Sequence, residues 1–136
     1  MFIIGTSQRY KCWKNWTICI LWLQISWNYW IAFVAYIGNN AFEQCMSITK
    51  AFIPLVKEIE DETFLNCNSL VNSSMLFVEK IGKFAFFGCF SLSSVEIPLS
   101  MKEIRSFAFC KCDYLLSIKI PSSIKAIENY AFFECS

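Results

Sequence analysis

The residues of this 136-residue chain best equipped for chemistry are eight cysteines and a tight group of acids, Glu58, Glu60, Asp61 and Glu62. Thiolates are nucleophiles and soft metal ligands, while clustered carboxylates carry protons or bind hard cations. The partners such chemistry needs are missing. There is no histidine, which removes Ser/His and Cys/His nucleophilic pairs, imidazole metal sites and the usual titration switch near neutral pH. No Cys-x-x-Cys pair occurs, the tightest spacing being Cys110-Lys-Cys112, so the spacing of a zinc site is absent. Four scattered glycines leave no phosphate-binding loop. The acids lie in a link entering a turn, where negative charge suits a helix N-terminus. These residues predict no enzyme, no metal site and no cofactor.

Twelve basic against eleven acidic residues leave a net charge of +1, too little for the electrostatic footprint of nucleic-acid binding. A hydrophobic content of 56% argues against disorder. Charge is unevenly placed: residues 1–36 carry Arg9, Lys11 and Lys14 without an acid, and none is charged between Lys14 and Glu43.

The cysteines must be positioned by something, and it is a repeat. One pattern recurs five times: Ile37-Gly-Asn-Asn-Ala-Phe-Glu-Gln-Cys45, Ile59-Glu-Asp-Glu-Thr-Phe-Leu-Asn-Cys67, Ile81-Gly-Lys-Phe-Ala-Phe-Phe-Gly-Cys89, Ile104-Arg-Ser-Phe-Ala-Phe-Cys-Lys-Cys112 and Ile127-Glu-Asn-Tyr-Ala-Phe-Phe-Glu-Cys135. The period is 22, 22, 23 and 23 residues. Ile48, Leu70, Leu92 and Leu115 follow the first four cysteines by three residues, and Ile53, Met75, Ile97 and Ile120 follow by eight. Pro54, Pro98 and Pro121 close three of these units.

Counting from the leading Ile as offset 0, apolar residues at offsets 0, 4, 5 and 8 share one side of a short helical turn. Those at offsets 11, 14 and 16 alternate as an inward-facing strand does, and the proline stops it. Neither element can bury its apolar side alone, so the units are predicted to stack with their strands in a parallel sheet.

The pattern resembles the BspA-like class of leucine-rich repeats, over about residues 37–136. The second unit departs from it at Thr63, Ser73 and Met75-Leu76. The resemblance implies an α/β leucine-rich-repeat solenoid, with short parallel strands on a concave face and short helical turns on a convex one. About 4.5 clear repeats and a degenerate N-terminal one are expected. It further implies a non-enzymatic interaction scaffold at the cell surface or secreted, adhesive in type, with a protein or a cell-surface or matrix ligand as partner. The alternatives are a cytoplasmic chain, and a structural spacer within a longer array with no ligand of its own.

Five cysteines at one repeat offset mark a packing position, predicting a buried thiol ladder, with disulfides between neighbouring rungs as the other reading. Cys12, Cys19 and Cys110 fall outside the ladder and are the better candidates for reactive or intermolecular thiols.

The outward strand positions, offsets 13 and 15, are the candidate ligand-binding residues: Lys50, Asn72, Ser94 and Ser117 in one column, Phe52, Ser74, Glu96 and Lys119 in the other, with Trp30 extending the second. Asn15-Trp-Thr17 and Asn72-Ser-Ser74 are glycosylation triplets. On the convex side, Leu65, Phe87, Cys110 and Phe133 at offset 6, with Phe84, Phe107 and Tyr130 at offset 3, either form an outward apolar surface or complete the core.

Two readings compete for residues 16–37. Their length and basic flank fit a membrane anchor, while Gln24, Ser26 and Asn28 alternating with Ile25, Trp27 and Tyr29 fit the strand of a degenerate repeat, with Ile18 to Leu23 covering the first edge. The division expected is residues 1–25 as an apolar cap or anchor and residues 26–136 as the solenoid. The solenoid is expected to be truncated mid-repeat at the C-terminus, leaving an open apolar end able to self-associate.

Overall fold

The computed structural model describes residues 2–4 and 34–135. Among these described residues nine short strands follow one another: β1 (Phe2–Ile4), β2 (Val34–Ile37), β3 (Lys50–Phe52), β4 (Glu58–Ile59), β5 (Asn72–Ser74), β6 (Lys80–Ile81), β7 (Ser94–Glu96), β8 (Glu103–Ile104) and β9 (Ala126–Ile127). They form two parallel sheets, one of order β1-β2-β4-β6-β8-β9 and one of order β3-β5-β7. Each repeat is one coil of a parallel β-solenoid, and the repeat length sets the register. Ile37, Ile59, Ile81, Ile104 and Ile127 pair in sequence along the first sheet, while Lys50, Asn72 and Ser94 pair along the second.

The second sheet is the one the alternating pattern predicts. The six-stranded sheet is not, because each of its later strands is two residues long and carries no alternation to read. The strand expected at Ser117 to Lys119 is absent: the Leu116 amide donates to Tyr114 at 3.0 Å, where the equivalent Ser93 amide reaches across to Val71 at 3.0 Å.

The larger correction concerns the expected helical turns. Among the described residues there is no helix. Between the two sheets the chain makes two successive four-residue turns, closed in the first coil by the Ala41 amide on Gly38 O (3.3 Å) and the Cys45 amide on Phe42 O (3.0 Å). The third residue of each turn is left-handed. At offset 3 these are Asn40, Glu62, Phe84, Phe107 and Tyr130, with φ between 55 and 62°. At offset 7 they are Gln44, Asn66, Gly88, Lys111 and Glu134, with φ between 56 and 68°. Two left-handed residues per coil break any right-handed helix. Two chained turns of four return offsets 4, 5 and 8 inward much as a helix would, so the apolar spacing alone does not separate the two.

The turns bond from coil to coil like strands. Phe42, Phe64, Phe86 and Phe109 donate their amides to Thr63, Ala85, Ala108 and Ala131 O at 2.7 to 2.8 Å. The same five-residue column, ending at Phe132, stacks ring on ring with centroids 5.1 to 5.3 Å apart. Phe64, Phe86 and Phe109 are fully buried and form the spine of the core with the leading isoleucines and the ladder cysteines. At Gly82 a Cβ would stand 2.6 Å from Asp61 N on the preceding coil, a gap that only glycine fits.

The backbone edge of β2 is covered by β1, with Ile4 opposite Ile37. Trp30, Asn15, Cys12, Cys19, the segment Ile18 to Leu23 and most of the 16–37 stretch lie outside the described residues. No helix among the described residues is long and apolar enough to cross a membrane.

Candidate binding face

The three-stranded sheet points alternate residues in opposite directions. Ala51 and Ser73 are buried beneath it, with Val95 partly so, while Lys50, Phe52, Ser94 and Glu96 are exposed and Asn72 and Ser74 half-exposed. Pairing in strict register then lines up Lys50, Asn72 and Ser94, and beside them Phe52, Ser74 and Glu96. This places six of the nine candidate residues on one face. Ser117 and Lys119 are exposed in an irregular segment that does not join the sheet.

The face is chemically mild: one cation, one anion, three short polar side chains and one aromatic ring, Phe52, which is 41% exposed. Such a surface offers contact groups of mixed polarity and no reacting group.

The thiols are occupied with structure. Cys67, Cys89, Cys112 and Cys135 donate Sγ–H to the carbonyl oxygens of Phe42, Phe64, Phe86 and Phe109 on the preceding coil, at 2.9, 3.1, 3.2 and 3.0 Å. The ladder position therefore takes a small side chain that is also a donor, a requirement spacing does not reveal. Burial pushes the Cys89 thiol up to about 12 and raises Cys112 further. Cys110, expected among the reactive thiols, is buried, and desolvation and then the Glu134 charge raise it too. Burial thus disfavours the thiolate at each of these positions.

Two of the four clustered acids are engaged by a backbone or side-chain amide. Asp61 Oδ1 accepts the Lys83 amide at 2.7 Å, and Glu62 accepts from Asn40 Nδ2 at 2.6 Å. Glu60 is raised, first by burial and then by the Glu58 charge. Among the described residues no group of three acids and cysteines is placed to hold a metal ion. The offset 3 aromatics stack on one another, Phe84 on Phe107 and Phe107 on Tyr130 at 5.1 Å, and Phe87 and Phe133 pack edge-on against them. Phe84, Phe87 and Phe107 lie between the two readings as a half-buried outer ladder, while Tyr130 and Phe133 are exposed.

The chain matches the BspA type leucine-rich repeat region, in six copies over residues 35–136. It belongs to the BspA-type leucine-rich repeat family. Solved structures of such proteins share its fold. A leucine-rich repeat protein from Bacteroides ovatus is 33% identical with a TM-score of 0.70, over 74% of this chain and 26% of that one. One from Eubacterium ventriosum is 30% identical with a TM-score of 0.71, over 75% and 28%. A leucine rich cell surface protein from Faecalibacterium prausnitzii is 26% identical with a TM-score of 0.64, over 76% and 38%. The chain thus spans about a quarter of the length of the first two. No curated protein matches it. BspA-type repeats are typically non-catalytic.

Sequence reasoning passed over a second exposed feature of this BspA-type solenoid. At offset 18, just past the second sheet, Leu55, Phe77 and Leu99 stand 48, 58 and 81% exposed on successive coils. Their signal was available, an apolar residue following the proline position in three consecutive units.

Proposed function

We propose that this repeat module binds a protein or a cell-surface or matrix ligand through the outward face of the three-stranded sheet, as an adhesive module at the cell surface. The observation that carries the reading is the in-register pairing of β3, β5 and β7, which sets Lys50, Asn72 and Ser94 beside Phe52, Ser74 and Glu96 on one open surface. Likeness to a Faecalibacterium leucine rich cell surface protein supports the location. Phe52 supplies the apolar anchor and Lys50 and Glu96 the orienting charges, a division of labour common to interfaces. Ser117 and Lys119 would extend the face if their segment paired with β7.

The test is the paired variant Lys50→Ala/Phe52→Ala in binding to extracellular-matrix-coated surfaces and to cells. A loss of tenfold or more is expected from removing an aromatic anchor with its neighbouring charge. Unchanged binding would support the other reading, a spacer within a longer array.

A further inference from the structure

The bend that joins the three-stranded sheet to the next strand of the six-stranded sheet carries a row of side chains that the core does not use. Leu55, Phe77 and Leu99 point outward there, while their chain neighbours Val56 and Val78, with Met101, are fully buried and hold the bend in place. Isolated exposed apolar residues are ordinary on a soluble surface; three in line on successive coils, separated by roughly one strand spacing of 4.8 Å, make a ridge.

The charges beside the ridge differ from those elsewhere. The two columns that flank it hold Lys57, Lys102 and Lys125 against Glu79 and Glu96. The remaining described residues carry six basic and nine acidic side chains. A net positive fringe therefore borders the ridge on a solenoid that is otherwise net negative. Glu79 is further engaged by Lys102 in an ion pair that draws its carboxyl below the usual range.

We propose that this bend is a contact for an anionic lipid surface, with Leu55, Phe77 and Leu99 entering the interface and Lys57, Lys102 and Lys125 lying on the headgroups. A projecting row of aliphatic and aromatic tips offers a protein partner little to enclose, whereas a fluid interface needs only apolar depth and opposite charge. Lysine stems lie along such a boundary with their ammonium groups in water. Leu55, Phe77, Leu99, Lys57 and Lys125 are none of them residues of the proposed ligand face, which meets the fringe of the ridge at Glu96, so variants at those five positions leave that face unaltered.

The experiment is sedimentation of the full chain with phosphatidylcholine vesicles containing phosphatidylserine, and with phosphatidylcholine alone. The wild type is expected to bind the anionic vesicles and to lose binding as salt rises. Leu55→Ser/Phe77→Ser/Leu99→Ser is expected to weaken partition by more than roughly tenfold. Lys57→Glu/Lys125→Glu, which touches no core residue, is expected to weaken it comparably. Hydrogen exchange of residues 53–57, 75–79 and 97–102 is expected to slow when vesicles are added. Three results would overturn the proposal: no binding by the wild type, unchanged binding by both variants, which places lipid contact elsewhere in the chain, or an effect of the serine variant on self-association alone, which assigns the ridge to a second copy.

Discussion

The Sγ of Cys89 donates to the carbonyl oxygen of Phe64 across the coil boundary at 3.1 Å, and the same oxygen accepts the Cys67 amide at 3.1 Å. One repeat position thereby satisfies a carbonyl that would otherwise have a single partner in a fully buried environment.

Removing that donor is expected to cost stability. Cys89→Ala should lower the unfolding free energy by about 1 to 2 kcal/mol in urea titration, through the lost bond and a small cavity. Its pH dependence has a definite sign. The thiol ionises near 9 in the unfolded chain and only near 12 when buried, so its contribution is whole below pH about 9 and is lost as pH rises toward 12. Stability should fall across that window by about 1.4 kcal/mol per pH unit from this residue. Cys89→Ala should show a shallower alkaline slope than the wild type.

Ser73 offers a gain. Its side chain is fully buried and its hydroxyl has no hydrogen-bond partner, whereas the buried hydroxyl of Thr63 in the same coil donates to Glu60 O at 2.8 Å. Ala51 and Val95 occupy the positions that flank Ser73 in the sheet. Ser73→Ala is expected to raise the urea midpoint by the equivalent of about 1 kcal/mol. A lower midpoint would show that the hydroxyl is satisfied in solution.

Gln44 separates turns from helices. It is exposed with φ of 57°, so Gln44→Gly should be neutral or stabilising by up to about 1 kcal/mol, and Gln44→Val destabilising. In a helix the glycine would instead cost about 1 kcal/mol. Thermal unfolding of the two variants decides the matter.

Gly82→Ala is expected to destabilise by about 2 kcal/mol or more, because the added methyl would meet Asp61 N and Glu60 C at 2.6 Å. The shift of its thermal unfolding midpoint measures the effect.

These variants also mark what could be read before the structure. The repeat, the buried phenylalanine and cysteine columns and the outward positions of the second sheet follow from spacing, because burial repeats with the coil. The turns did not follow, since the pattern 0, 4, 5, 8 suits a helix and a pair of turns equally. Asn40, Asn66 and Gly88 at the left-handed offsets were the available signal, obscured by Phe84, Phe107 and Tyr130 at offset 3. Those aromatics hold an uncommon backbone region while stacking on their neighbours in adjacent coils. The hydrogen bond made by each cysteine lies beyond sequence, because a small apolar position and a small donor position look alike. The ridge at offset 18 was missed because a repeated apolar residue reads first as core.

Replacing helices by bonded turns also sets how such an array grows. A helix is about 10 Å across against strand spacing near 4.8 Å, which splays successive units into a horseshoe. Here the outer rings repeat at 5.1 Å, close to the strand spacing, so both sides advance together. Each added coil lengthens the stack with little wedge, and the surfaces along it behave as rulers whose reach scales with the number of coils.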